Sequence, residues 1–196
     1  MKSFLLMCLL PTIAAAQSAQ LTEQLGKTVL YGAVAISPDG HGAAWVQSTA
    51  ATTTKETHIM STSGNAAAAK VNLSATGERT DSDPVWSPDS KTLAFFSTAG
   101  EKDQAQLWIA NADGTGAKKL TSLKGYAARP RWSRDGKQIA FLYVEAGAGG
   151  GPLLAAPAST GVIDTSFHNQ RIAVVNADGG ELRQPDIGRF VRRNRG

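Results

Sequence analysis

The sequence predicts an all-β chain: an incomplete β-propeller of about three four-stranded antiparallel blades. Three observations carry this. A turn phrase recurs as Ile36-Ser37-Pro38-Asp39-Gly40, Trp86-Ser87-Pro88-Asp89-Ser90 and Trp132-Ser133-Arg134-Asp135-Gly136, its serines 50 and 46 residues apart. Each copy runs into an apolar stretch in the same register, Ala43-Ala44-Trp45-Val46, Leu93-Ala94-Phe95-Phe96 and Ile139-Ala140-Phe141-Leu142. An aspartate-glycine turn then follows in two copies, within Asn111-Ala112-Asp113-Gly114 and Asn176-Ala177-Asp178-Gly179. A period of this size marks an architecture built from one small unit per copy.

The second copy reads most plainly. Pro84-Val85-Trp86 is a short strand. Ser87 to Ser90 is a turn, because proline presets its own φ and aspartate bonds back to nearby backbone. Lys91 to Ser97 is the return strand, supplied with Leu93, Phe95 and Phe96. Gln106 to Ala110 is a third strand, Asp113-Gly114 a hairpin turn, and Ala117 to Thr121 a fourth strand. Four short strands per copy suit a propeller blade.

In the first copy, His58 to Ser63 is the expected third strand, Gly64-Asn65 its turn and Ala69 to Leu73 the fourth strand. In the third copy, Asp135 to Asp178 spans 43 residues where Asp89 to Asp113 spans 24. The surplus falls on Ala146 to Ser166, which reads as an insertion between the second and third strands of that blade.

The rest of the chain divides around these copies. Lys2, the apolar run Phe4 to Leu10 and Ala14-Ala15-Ala16 read as a signal peptide over residues 1–16, too short to span a membrane. An N-terminal arm follows over 17–30, where Leu21 to Leu25 is expected to form one helical turn capped by Thr22. Blades occupy about 31–80, 81–124 and 125–184, and residues 185–196 are an irregular arginine-rich tail. The expectation is an exported chain, periplasmic or secreted. No further Trp-Ser-Pro-Asp phrase follows Gln184, so the reading is a fragment, a truncated product or a shifted frame at the end. An open stack of this kind exposes a blade face and sheet edges.

Charge and cysteine exclude several functions. The net charge is +4, but setting aside Lys2 and the four tail arginines leaves 15 basic residues against 16 acidic. A near-neutral body argues against a nucleic-acid or membrane surface. The one cysteine, Cys8, lies in the leader, and Leu5-Leu6-Met7 before it does not suit a lipid anchor. Disulfides and thiol catalysis are therefore not expected.

No catalytic, cofactor-binding or metal-binding residue is predicted. Asp39, Asp89 and Asp135 are read as turn-holding groups rather than acids or ligands. Trp86 and Trp132 are read as packing between blades, and Trp45 and Trp108 likewise. His41, His58 and His168 show no metal-ligand spacing. Gly147 to Gly151 lacks the lysine and hydroxyl residue of a phosphate loop and reads as flexible insertion. Ala146 to Ser166 is the favoured contact segment for a partner domain or substrate, since loops carry function more often than blade cores. Asn72-Leu73-Ser74 matches a glycosylation acceptor by pattern alone.

The phrase Trp-Ser-Pro-Asp with its following Leu-Ala-Phe, and Leu107-Trp108-Ile109-Ala110-Asn111-Ala112-Asp113-Gly114 behind it, resembles WD-repeat-like blades of two exported families. One is TolB, the periplasmic propeller of the Tol–Pal envelope system. The other is the N-terminal propeller of prolyl oligopeptidase-family serine peptidases, including dipeptidyl- and acylaminoacyl-peptidases. The stretch from Thr160 to Val175 and the opening from Leu21 to Gly40 resemble the peptidases more. TolB implies a separate α/β domain ahead of its propeller, for which there is no room between Gln17 and Tyr31.

The peptidase resemblance implies a propeller that restricts access to short peptides, with catalysis in a C-terminal α/β-hydrolase domain. No Gly-x-Ser-x-Gly elbow occurs here, so no catalytic residue carries over. The implied partners are that hydrolase domain or a peptide substrate. A TolB-like, protein-binding propeller that engages envelope proteins is the alternative.

Overall fold

A computed structural model describes residues 21, 23–63, 67–73, 77–101, 103–145 and 170–185. Within them the chain forms eleven antiparallel strands in three successive sheets. Sheet 1 is β1 (Val29–Ile36), β2 (Gly42–Thr49), β3 (Glu56–Ser61) and β4 (Ala69–Lys70). Sheet 2 is β5 (Asp81–Trp86), β6 (Thr92–Ser97), β7 (Gln106–Asn111) and β8 (Lys118–Lys119). Sheet 3 is β9 (Gly125–Trp132), β10 (Gln138–Glu145) and β11 (Arg171–Asn176). Its fourth position is held by one bridge, in which Val174 and Arg183 exchange backbone hydrogen bonds of 2.7 and 2.8 Å. The incomplete propeller expected from the repeats is therefore the fold observed.

One turn chemistry makes all three opening hairpins. The hydroxyl of Ser37, Ser87 or Ser133 donates to the carboxylate two residues on, at 2.5, 2.6 and 2.6 Å. Each hydroxyl also accepts the amide of Gly42, Thr92 or Gln138. The carboxylate in turn accepts the amide of His41, Lys91 or Lys137. The residue after each aspartate takes a left-handed φ, 76° at Gly40, 61° at Ser90 and 69° at Gly136. Glycine adopts that conformation freely, and Ser90 adopts it at some cost.

A bulge recurs three residues before each turn phrase begins. It lies between Tyr31 and Val34 in β1, between Ser82 and Val85 in β5, and opposite Ala140 to Leu142 in β9. Asp83 and Arg129 sit there at φ 52° and 58°. Gly32 and Ala33 occupy the same place in β1.

The sheets stack face to face and bury two apolar layers. Between sheets 1 and 2 lie Ala44, Ile59, Val71, Leu73, Trp86, Leu93, Phe95 and Trp108. Between sheets 2 and 3 lie Ala94, Phe96, Leu107, Leu120, Leu123, Ile139, Phe141 and Val175. Strand β6 supplies both layers, because successive side chains point to opposite faces. Hence Leu93, Ala94, Phe95 and Phe96 are all fully buried.

Several expectations shift in detail. Strand β1 begins at Val29, inside the segment assigned to the N-terminal arm. Strand β3 starts at Glu56 rather than His58, because Gln47 of β2 extends the pairing to Glu56. The fourth strands shrink from the expected Ala69 to Leu73 and Ala117 to Thr121 to two residues each. Residues 23–26 are helical, and the amide of Lys27 closes that turn on the carbonyl of Glu23. The cap expected from Thr22, the signal peptide, Gly64-Asn65, Ser74, the insertion from Ala146 to Ser166, His168 and residues 186–196 lie outside the described residues. No described helix is long and apolar enough to cross a membrane.

Candidate functional site

Two seams join the three sheets, and the first is chemically the richer. The chain enters it when Lys55 and Thr80 form a parallel bridge, with Lys55 N donating to the Arg79 carbonyl and Asp81 N to the Lys55 carbonyl, both at 2.9 Å. This crossing turns Arg79 and Asp81 inward. Asp81 is 1% exposed and Arg79 7%. The Asp81 carboxylate accepts the Thr57 amide at 2.8 Å through Oδ2 and meets Arg79 Nε at 3.4 Å. Arg79 Nη2 donates to the Val71 carbonyl at 3.2 Å and lies 3.7 Å from Glu56 Oε1. Lys70 holds the same Glu56 oxygen at 2.6 Å.

The cluster is not fully satisfied. Asp81 Oδ1, Thr57 Oγ1 and Arg79 Nε have no directed hydrogen bond. The Arg79–Asp81 contact is thus an ion pair rather than an aligned hydrogen bond. Burial pushes the Asp81 carboxyl above the usual carboxylate range, against the opposing pull of Ser97, Arg79 and Thr57. Burial also lowers His58, which stacks on Trp45 with ring centroids 5.8 Å apart.

Two clefts open at the ends of this seam. One, of about 440 Å³, is lined by Asp39, His41, Met60, Trp86 and Asp113. The other, of about 550 Å³, is lined by Glu78, Arg79, Thr98, Glu101 and Asp103. In the first cleft His41 Nδ1 lies 2.9 Å from Ser63 Oγ. The neighbouring Asp39 carboxylate accepts the Ser37 hydroxyl and the backbone amide of His41, not its ring. Among the described residues no carboxylate is hydrogen-bonded to the His41 ring, as the orienting carboxylate of a catalytic histidine would be.

The structure assigns the singled-out residues as follows. Asp39, Asp89 and Asp135 close their own turns, and the serine hydroxyl holds each carboxyl below its ordinary value. Asp113 does likewise through Thr115. Trp86 and Trp132 plug the seams, their Nε1 atoms donating to the carbonyls of Ala35 and Val85, each at 3.2 Å. The approach at the first seam is close: a Cβ at Gly42 would meet the Trp86 ring at 3.1 Å. Trp108 is buried in the first seam with its Nε1 unpartnered. Trp45 packs against no second sheet among the described residues. It points away from sheet 2, is half-buried, and its Nε1 donates to Gln47 of its own strand at 3.1 Å. Among the described residues no cluster of three histidine, cysteine, aspartate or glutamate side chains is placed to hold a metal ion.

The polar seam was missed at the level of sequence. Nothing in the stretch Glu78-Arg79-Thr80-Asp81 signals burial; the parallel bridge at Lys55 turns Arg79 and Asp81 inward.

The fold defines the class: the sheets are blades of a β-propeller. No protein-family model matches the chain. Over 63 residues, 32% of this chain, it is 48% identical to the uncharacterized peptidase YuxL of Bacillus subtilis, covering 9% of that protein. Over 48 residues, 24% of this chain, it is 44% identical to the Tol-Pal system protein TolB of Anaeromyxobacter dehalogenans, covering 11% of that protein. The chain thus matches about a tenth of the length of these relatives.

Among solved structures it is similar to an acylaminoacyl peptidase from Pyrococcus horikoshii. That match has a TM-score of 0.58 at 17% identity, over 83% of this chain and 26% of that one. TolB from Acinetobacter baumannii gives 0.51 at 22% identity, over 78% of this chain and 31% of that one. Both neighbours share the blade fold.

Proposed function

We propose that this chain is the N-terminal propeller portion of an exported prolyl oligopeptidase-type serine peptidase. Its role is to gate or position peptide substrates for a hydrolase domain that performs the chemistry. The identity of 48% to a peptidase over 63 residues carries this reading. The purified chain is expected to hydrolyse no peptide ester; turnover abolished by changing Ser63 would contradict the proposal. Sequencing the adjoining DNA tests the wider reading. Further blades and a Gly-x-Ser-x-Gly elbow are expected there, and unrelated sequence would count against it. Export is tested by fractionation and N-terminal sequencing, with a mature start near Gln17 expected.

A second reading is a TolB-like propeller that binds envelope proteins and catalyses nothing. The 44% identity to a TolB over 48 residues favours it. Recovery of a Tol-system protein with the chain from envelope extract would select this alternative.

A further inference from the structure

The inner edges of the three sheets differ, although their strands are equivalent. The first strands β1, β5 and β9 pack against one another in turn, and each ends its sheet with one edge that pairs with no other strand. Stacking a sheet on a face leaves such an edge alone. Sheet 2 is covered on both faces, and the edge of β5 still pairs with no strand of another sheet.

The turns fix which backbone groups point out from that edge. Ser37, Ser87 and Ser133 each donate the main-chain amide to the carbonyl across the hairpin at 2.8 Å. Hydrogen-bonded and non-hydrogen-bonded pairs alternate along an antiparallel ladder. The residues one and three places before each serine therefore direct N–H and C=O away from the partner strand. They are Ile36 and Val34 in β1, Trp86 and Pro84 in β5, and Trp132 and Pro130 in β9.

Two of the three edges are guarded. Pro84 and Pro130 have no N–H, so the outward donor is missing there, a device that keeps a strand edge from recruiting another chain. The bulge residues before them, Asp83 and Arg129, are charged. Earlier along each strand, a loop of the preceding sheet takes the edge. The Lys55 backbone bonds the Arg79 carbonyl and the Asp81 amide. The Gln104 side-chain amide bonds both backbone groups of Gly125, donating at 2.9 Å and accepting at 3.0 Å.

Strand β1 carries neither proline nor charge. It reads Val29-Leu30-Tyr31-Gly32-Ala33-Val34-Ala35-Ile36, with Val34 where the other two have proline. A further sheet seated on sheet 1 would take Val29 to Tyr31, the counterparts of Arg79 to Asp81. It would leave Val34 and Ile36 as β5 leaves Pro84 and Trp86.

We propose that an extended peptide binds this edge as an added strand, exchanging hydrogen bonds with the backbone N–H and C=O of Val34 and Ile36. Strand addition draws its affinity from main-chain bonds. The ligand must therefore be extended and carry free N–H groups along the paired edge, whatever its side chains. The site follows from the comparison of the three edges, and the ligand class rests on the peptide-positioning role proposed above.

Fluorescence polarisation on the purified chain tests this, with a labelled hexapeptide of alternating threonine and valine, residues that favour extended backbone. Binding is expected, and it should vanish when every amide of the peptide is N-methylated. Val34→Pro should weaken binding about tenfold or more. Its β-sheet circular dichroism should be unchanged, because proline is the native residue at both equivalent positions. Exchange of the Val34 and Ile36 amides, read by NMR, should slow about tenfold when peptide is added, with Trp86 and Trp132 unchanged. Equal binding by Val34→Pro, equal binding of the methylated peptide, or new protection at Trp86 or Trp132 would overturn the site and leave the peptidase reading standing. So would Val34 and Ile36 amides already protected in the free chain. Failure to bind the unmethylated peptide would overturn the proposal too, and the peptidase reading would still be decided by the adjoining DNA. If Val34→Pro unfolds, the exchange pattern of the unchanged chain decides.

Discussion

The two seams of this stack are built on one register yet solved with different chemistry. Thr57 and Asp81 in the first occupy the positions of Leu107 and Ala127 in the second. At positions where the second seam is apolar, the first buries an arginine and an aspartate, and four polar atoms of that seam, Trp108 Nε1 among them, are left without directed partners. The second seam also holds a buried amide, Gln106, but that group is fully used. Its Oε1 accepts Thr121 and the Leu123 amide at 2.9 and 2.7 Å. Its Nε2 donates to Glu101 and the Leu123 carbonyl at 2.7 and 3.1 Å. A satisfied buried network rigidifies, and a partly satisfied one is costly. The second seam is therefore the firmer joint, and the first is the one from which the blades should separate.

The largest effects break each joint at its centre. Phe96→Ala in the second seam empties a fully buried position in edge contact with Phe141, 5.6 Å away. It should cost about 3–5 kcal/mol in urea unfolding. Arg79→Ala in the first seam should cost a similar 3–5 kcal/mol, because it leaves Asp81 buried without its counter-charge.

Converting the first seam toward the second sharpens the contrast. The joint change Thr57→Leu, Arg79→Ala and Asp81→Ala should be neutral or stabilising by about 1–4 kcal/mol, although Arg79→Ala alone is strongly destabilising. A triple variant less stable than Arg79→Ala would show that the polar cluster holds the seam.

A smaller loss is expected at the turns. Ser87→Ala removes a buried hydroxyl that accepts the Thr92 amide and donates to Asp89, and should cost about 1–2 kcal/mol. The same bonds set the response to acid. Asp39, Asp89 and Asp135 have folded values below the unfolded one, so their contribution is present above the unfolded value, about 3.9. It is lost as pH falls through the lowered folded values. Asp81 has the opposite sign, because its folded value is raised. Its contribution is present at low pH and is lost as pH rises through that raised value. Stability measured downward from pH 5 should therefore fall less steeply in Ser87→Ala than in the unchanged chain, and the Asp81→Ala change should leave the acid limb steeper.

Much of this architecture is legible in the residues. The Ser-x-Asp phrase encodes its own turn, because a hydroxyl, a carboxylate and two amides close within six residues. The flanking strands follow from the alternation across Leu93 to Phe96, and the hairpin from Asp113-Gly114, where Gly114 takes φ 82°. The direction a strand residue faces was harder to read. Trp45 lies in its strand as expected, but only the packing of sheet 2 on the Ala44 side shows that Trp45 faces the open end. The polar seam was illegible for the same reason. Nothing local to Arg79 and Asp81 marks them as buried, since their partners, Thr57 and Val71, belong to another blade.

Hydrogen exchange on the purified chain tests the stacked-blade account most directly, because β6 lies between two apolar layers while β1 is an outer strand of the described stack. Amides of β6, covered on both faces, are predicted to exchange only with global unfolding, while those of β1 exchange faster. Equal protection in β1 and β6, or slower exchange in β1, would contradict the account.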